Sequence, residues 1–208
     1  MENSTKASAY SDKYCRPVLG LHFLLFLAGC MSGESPEAEP TELELKQAAA
    51  QQMFSDFDTM DYTDLGVLPT SGSVSYEGFL SGRLSNTEDG VTDTLIGDLS
   101  VNVSFGDSSL ISGVASGFLD DNGDALDGAI ILSAGELDRA GDPDVDATLT
   151  FEGSGELTSI SGDVLVFDTD FAGDFLGEEY QGIGGEALAQ VAVGGASQSF
   201  SGVFAASR

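Results

Sequence analysis

From Val74 to the C-terminus, apolar and polar residues alternate with a period of two. Val74, Tyr76, Gly78, Leu80, Gly82 and Leu84 fall on one side of an extended chain; Ser75, Glu77, Phe79, Ser81 and Arg83 fall on the other. Leu95, Gly97, Leu99, Val101, Val103 and Phe105 alternate likewise with Thr94, Ile96, Asp98, Ser100, Asn102 and Ser104. Similar segments run near 110–118, 128–134, 146–153, 160–168, 184–193 and 198–206. In the cleanest of them, Ala147, Leu149 and Phe151 oppose Thr148, Thr150 and Glu152, and Phe200, Gly202 and Phe204 oppose Ser199, Ser201 and Val203. Successive side chains of a strand point to opposite faces, so this pattern predicts eight strands, each with one apolar face. Eight such antiparallel strands close into an up-and-down barrel filled by side chains, and inward glycines suit its narrow interior. The expected fold class is therefore all-β, an eight-stranded antiparallel up-and-down β-barrel. Two packed sheets share the same periodicity and stay open as an alternative. A membrane-spanning barrel fits poorly, because the outward positions are rich in Ser, Thr, Asp and Glu and show no apolar band or aromatic girdles.

Upstream of the barrel the pattern changes twice. Residues 18–28 (VLGLHFLLFLA) are an apolar run broken only by His22, with Lys13 and Arg16 just before it. Eleven residues fall short of the roughly 20 that span a bilayer and suit the apolar region of a secretory signal. Leu27-Ala28-Gly29-Cys30 follows and resembles the lipobox of bacterial lipoproteins. That resemblance implies cleavage after Gly29 and acylation of Cys30 by a thioether diacylglycerol and an N-acyl chain such as palmitate. Two or more chains hold a protein on a membrane where one does so only marginally. The expected partner of Cys30 is thus the lipid bilayer, and Met31 in place of Asp fits outer-membrane sorting.

Residues 31–40 (MSGESPEAEP) have no apolar period and are expected to form a disordered tether. Thr41 to Glu44 matches a capping box, and good helix formers follow it, which predicts one short helix near 42–54. Its apolar stripe of Leu43, Ala50 and Phe54 is narrow, so the helix is expected to be solvent-exposed or weakly docked. Asp56, Asp58, Asp61 and Asp64, interleaved with Phe57, Met60 and Tyr62, read as an acidic, partly ordered lead-in; their spacing fits no compact calcium loop. The expected organisation is a signal peptide at 1–29, a lipidated acidic tether with the helix at 30–65, and the barrel at 66–208.

Charge narrows the function. The chain carries a formal net charge of -28, with 27 glycines, 13 phenylalanines and no tryptophan. Without residues 1–29 it keeps four basic and 33 acidic residues, a net -29. Such a surface repels phosphate backbones, which argues against a nucleic-acid partner, and it supplies no basic patch for anionic lipid. Acidity of this degree also serves solubility in a salty medium, where screening relieves self-repulsion. The two cysteines are Cys15, in the signal, and Cys30, while the one histidine is His22. A mature chain without histidine or free thiol cannot build a Ser-His-Asp triad, a Cys-His pair or a standard zinc site.

The remaining candidates have plainer readings. Asp120, Asp121, Asn122, Gly123 and Asp124, with Asp127 beyond, lack the spacing of an EF-hand. Asn122-Gly123 is the favoured pair for a type I′ hairpin turn. Asp138, Asp142, Asp144 and Asp146 read as a solvated loop first and an opportunistic cation site second. Many carboxylates could pair for acid–base work, but no two are singled out. Tyr62, Tyr76, Tyr180 and the methionines carry atoms able to ligate haem, yet core packing is their default. No cofactor, metal site or catalytic residue is expected.

Four stretches carry a family resemblance. Residues 68–78 (LPTSGSVSYEG) show a Pro-x-Ser-Gly turn leading to Tyr-x-Gly, and 99–105 (LSVNVSF) precede Ile111-Ser112-Gly113. Residues 170–177 (DFAGDFLG) lead to 184–187 (GGEA), and 199–208 (SFSGVFAASR) end the chain. Their order and spacing resemble the β-barrel domain of transferrin-binding protein B and the small solute-binding-like lipoproteins grouped with it. In that family a Phe-x-Gly turn precedes the "gly-gly" strand and a Phe-Gly-Gly-Val-Phe-Gly-Ala strand closes the barrel. The resemblance covers about 66–208 and implies a barrel displayed on a lipid tether. It leaves room for one barrel and no handle domain, so no transferrin-binding residues carry over. The expected function is that of a non-enzymatic, outer-membrane-anchored surface lipoprotein binding a host or secreted protein or a small solute, with iron or haem acquisition as one candidate use. A structural or protective acidic lipoprotein without a dedicated ligand is the alternative.

Overall fold

The computed structural model describes residues 39–85, 92–106, 110–143 and 147–208. Residues 1–38, with the expected signal peptide, Cys30 and most of the expected tether, lie outside the described residues.

Helix α1 spans Glu42–Phe57 and begins as its sequence dictates. The Thr41 hydroxyl accepts the Glu44 backbone N–H at 3.2 Å, and the Glu44 carboxylate accepts the Thr41 N–H at 2.8 Å. These two bonds satisfy donors that the first helical turn leaves free. They also hold the Glu44 carboxyl below the usual glutamate range, the backbone bond contributing most.

Eight strands follow: β1 (Ser73–Ser85), β2 (Thr92–Ser104), β3 (Leu110–Leu119), β4 (Ala125–Leu137), β5 (Leu149–Thr158), β6 (Val164–Leu176), β7 (Gly182–Val193) and β8 (Ala196–Ser207). They pair antiparallel in chain order, and β8 returns to β1 through a register from Glu77↔Ser207 to Ser85↔Ser199. The sheet is a closed barrel, which removes the two-sheet alternative.

Two strands lie further along the chain than their glycines suggest. Residues 153–155 read as the end of the fifth strand, yet Gly153 and Gly155 continue β5 to Thr158. The sixth strand is expected near 160–168, yet β6 begins at Val164, and Phe171, Gly173 and Phe175 carry its inward face through to Leu176. Glycine there fills an inward position beside large rings and does not break the strand.

One apolar cluster fills the barrel. Phe151 stacks on Phe171 with ring centroids 4.5 Å apart, and Phe204 meets both edge-on at 5.5 and 5.7 Å. Room for such rings comes from missing side chains: a Cβ on Gly82 would lie 2.3 Å from the Phe200 ring. Among the inward residues, Thr169 is buried with its hydroxyl lacking a hydrogen-bond partner among the described residues.

Contrary to the narrow stripe read from sequence, α1 is firmly docked on the barrel wall. Ala50 packs with Ile96 and Leu119, flanked by Leu43, Phe54 and Phe79. Phe57 packs with Leu176 and Ala205, flanked by Met53 and Met60. The missing half of this interface was on the strands, where Phe79 and Ile96 are apolar residues on the outward face. A polar latch completes it. The strand pairing shifts around Gly117, whose carbonyl accepts the Lys46 ammonium at 2.6 Å, and Asp98 pairs with the same ammonium at 3.0 Å. The irregularity turns a backbone acceptor toward the helix.

Residues 58–72 then close one end of the barrel. Tyr62 bridges to Leu176, the Thr63 N–H bonds Phe175 O at 2.9 Å, and the Thr63 hydroxyl donates to Gly177 O at 2.6 Å. Leu68 joins the core, and the Arg139 guanidinium ties the backbone carbonyls of Leu68 and Pro69 while lying 5.7 Å over the Phe105 ring. This lead-in is an ordered strap, more than the partly ordered acidic segment expected.

Candidate functional site

The two ends of the barrel are built differently. At the strapped end, Tyr76, Phe105, Phe175 and Tyr180 form a ring cluster with neighbouring centroids 6.0 to 6.3 Å apart. The Tyr76 hydroxyl donates to Tyr180 O at 3.1 Å, and burial pushes its pKa well above the usual tyrosine value. Arg208 lies 4.3 Å over the Tyr180 ring and pairs with Glu179 at 3.5 Å. Of the tyrosines considered for haem, Tyr76 is therefore core and Tyr180 is clamped beneath a guanidinium, while Tyr62 is half exposed in the strap.

The opposite end carries the hairpins β1–β2, β3–β4, β5–β6 and β7–β8. Residues 120–124 do form a hairpin turn, but not of the type I′ form. The Gly123 N–H bonds Asp120 O at 3.1 Å and the Asp120 N–H bonds Asp124 O at 3.0 Å, with φ of Gly123 at +83°. Asn122 has no positive φ, so this is a three-residue loop closed by a left-handed glycine. Residues 159–163 repeat it, with Gly162 at +89° bonding Ser159 O at 2.9 Å. The pair of positive φ values that a type I′ turn needs occurs instead at Gly194 and Gly195. The Asp120 carboxylate serves its own turn, accepting the N–H groups of Asn122 and Asp124 at 2.9 Å each.

Between these hairpins lies a concavity of about 260 Å³. Beneath it lie the buried Leu84, Leu95, Leu126 and Leu165 and the partly buried Val193, inward residues near this end of their strands. Its rim carries Asp93, Asp120, Asp121 and Asp163, and none of the described residues lining it is basic. The Asp163 carboxylate accepts the Ser161 hydroxyl at 2.7 Å. No three carboxylates among the described residues come close enough together to hold a metal ion. Sequence reasoning marked Asp120 and Asp121 only as turn residues and passed over Asp93, Asp163 and the floor. The signal was present, because period-two alternation puts a large apolar residue at the inward end of successive strands.

A larger groove of about 600 Å³ runs along the wall beside Glu152, Asp168, Asp170, Leu188, Gln190 and Ser201. Glu152 stands directly opposite Asp170 across the β5–β6 pair, an arrangement of like charges that destabilises a sheet. The loop carrying Asp138 and Asp142 lies at the strapped end, where the Asp138 carboxylate accepts the Ala140 N–H at 2.9 Å. Asp144 and Asp146 lie outside the described residues, as does Cys30.

No protein-family model matches the chain, and no curated protein is similar to it. The geometry alone thus defines what the molecule can do. Its interior is packed, its described surface holds neither histidine nor cysteine, and two of its concave surfaces are lined by acidic and no basic described residues.

Proposed function

We propose that this chain is a lipoprotein of the bacterial outer membrane, held by acylated Cys30, whose barrel is a surface-displayed, non-enzymatic binding module for a protein or small solute. The observation that carries this reading is the latching of α1 and the strap along the barrel from one end to the other. Leu43 lies against Gly123 at the hairpin end, and Phe57 lies against Gly182 at the strapped end. A tether between Cys30 and Thr41 spans at most about 40 Å when fully extended. Carboxylates at outward positions such as Glu77, Glu152 and Asp170 fit a barrel in water and would be costly on a lipid-facing band. The resemblance of the barrel segments to the transferrin-binding protein B domain points the binding toward iron or haem acquisition.

Two experiments test this reading. Cys30→Ser should abolish incorporation of labelled fatty acid and release the chain from the membrane fraction; normal labelling would end the anchoring claim. A pull-down from growth medium and serum, with haem and iron complexes included, should return a ligand above an acidic control protein. A protective coat without dedicated ligand is the second reading, favoured by the apolar cluster that fills the barrel among the described residues, and an empty pull-down would select it.

A further inference from the structure

We propose that α1 is a salt-tightened latch: rising ionic strength seats it on the barrel wall, and low ionic strength lets it lift. The contacts that hold the helix and the charges that oppose it differ in how far solvent reaches them. Those that hold it are covered. Ala50 packs with Ile96 and Leu119, and Phe57 with Leu176 and Ala205, all of them buried. The Lys46 side chain is only 10% exposed where its ammonium meets Gly117 O at 2.6 Å. Dissolved ions reach contacts of this kind poorly, so salt leaves them in place. Asp98, the second partner of Lys46, is 58% exposed, and only that half of the polar contact weakens as salt rises.

The opposing charges stand in the open. Glu42, Glu44, Asp56 and Asp58 are exposed, and Lys46 is the one basic residue from 41 to 58. At the start of α1, Leu43 packs on the turn at Gly123, which sets Glu42 and Glu44 beside a hairpin carrying Asp121 and Asp124. Two carboxylates outweigh the roughly half positive charge of a helix N-terminus, so the net force there is repulsive. On the strands beneath, Glu77 shares an outward face with Phe79 and Asp98. β8 carries no charged side chain, the part of β7 under Phe57 is Gly182 and Gly184, and Arg83 of β1 lines a separate furrow with Glu186. At the far end Asp56 and Asp58 stand where the helix dipole is already negative, with no basic residue in the last turn. Exposed like charges are what salt screens, because the Debye length falls from about 30 Å near 0.01 M to about 8 Å near 0.15 M. A lifted α1 also unwinds, since 16 residues are marginal as an isolated helix. Residues 1–38 join the barrel through this element, so the latch makes that junction respond to the surrounding salt. Neither an anchor at Cys30 nor a ligand for the barrel is needed for it.

The test follows amide hydrogen exchange of the full chain at one pH, in about 10 mM and about 500 mM sodium chloride. Exchange across residues 46–57 should slow at least about fivefold in the higher salt. Faster or unchanged exchange would overturn the latch. Neutralising the facing carboxylates with Glu77→Gln, Asp121→Asn and Asp124→Asn leaves the helix sequence intact. At low salt these changes should slow the same exchange about threefold and flatten the salt response. The matched variant Glu152→Gln, Asp168→Asn and Asp170→Asn removes the same charge from the β5–β6 wall and should alter it less than about twofold. Equal protection by the two variants would mean that α1 opens only with the whole barrel, and would sink the proposal. Lys46→Met should speed exchange at both salt levels and keep the salt response. Loss of that response would trace it to the Lys46–Asp98 pair and overturn the proposal as well.

Discussion

The two ends of this barrel solve the same problem in opposite ways. A closed sheet protects its edges but leaves its core side chains to be covered at the top and bottom. At one end a 15-residue strap, two arginines and a ring cluster seal the core with hydrogen bonds to backbone carbonyls. At the other end Leu84, Leu95, Leu126 and Leu165 stay buried and Val193 partly buried beneath a rim of aspartates, with no such strap among the described residues. The hairpin end sets like charges side by side.

That contrast can be broken most directly by cutting matched leucines. Leu68→Ala should cost about 2–5 kcal/mol in urea unfolding, because it leaves an enclosed cavity. Leu126→Ala borders the concavity, where solvent can enter the space, and should cost about half as much; equal losses would remove the distinction. Next in size, Gly182→Ala should cost about 1–3 kcal/mol by pushing on the Phe57 ring, since its Cβ would come 2.4 Å from that ring. Hydrogen exchange should then show the C-terminal half of α1 loosened and the hairpins unchanged.

The sealed end also carries a pH signature. An unfolded tyrosine ionises near pH 10, whereas buried Tyr76 keeps its proton above that value. The unfolded state then binds fewer protons, so stability falls as pH rises, by up to about 1.4 kcal/mol per pH unit. Tyr76→Phe should flatten this alkaline slope in denaturation curves taken between about pH 9 and 11. The smallest effect belongs to the middle of the barrel. Thr169→Val replaces a buried hydroxyl that has no partner among the described residues and should raise stability by about 1 kcal/mol.

Much of this architecture is legible in the residues. The capping box at Thr41 and Glu44 fixes the start of α1, and alternation in β1, β2 and β8 assigns their inward faces correctly. The misplacements share one cause: glycine looks the same whether it bends a chain or makes room for a ring. Gly153 and Gly173 do the second, and so β5 and β6 run on beyond 153 and 168, where they were expected to end. Docking of α1 was hidden because it depends on Phe79, Ile96 and Leu119, which are distant in sequence and unremarkable until the barrel closes. The strap was hidden for a similar reason, since Thr63 and Arg139 act through backbone carbonyls. As for the concavity, each floor residue obeys the strand pattern, but only closure of the sheet gathers them at one end.

Use of positive charge has a further consequence. Residues 39–208 contain Lys46, Arg83, Arg139 and Arg208 as their basic side chains. Three of them hold other parts of the chain in place, and Arg83 lies within β1, two residues before its end. A trypsin-like protease cuts after lysine or arginine in a segment that can adopt an extended, accessible form. Every such bond in the described chain lies on a latched helix, in a fastened loop, within a strand or at the terminus. A protein exposed outside a cell would gain from that placement, because the enzymes it meets would find their preferred residues held within the fold.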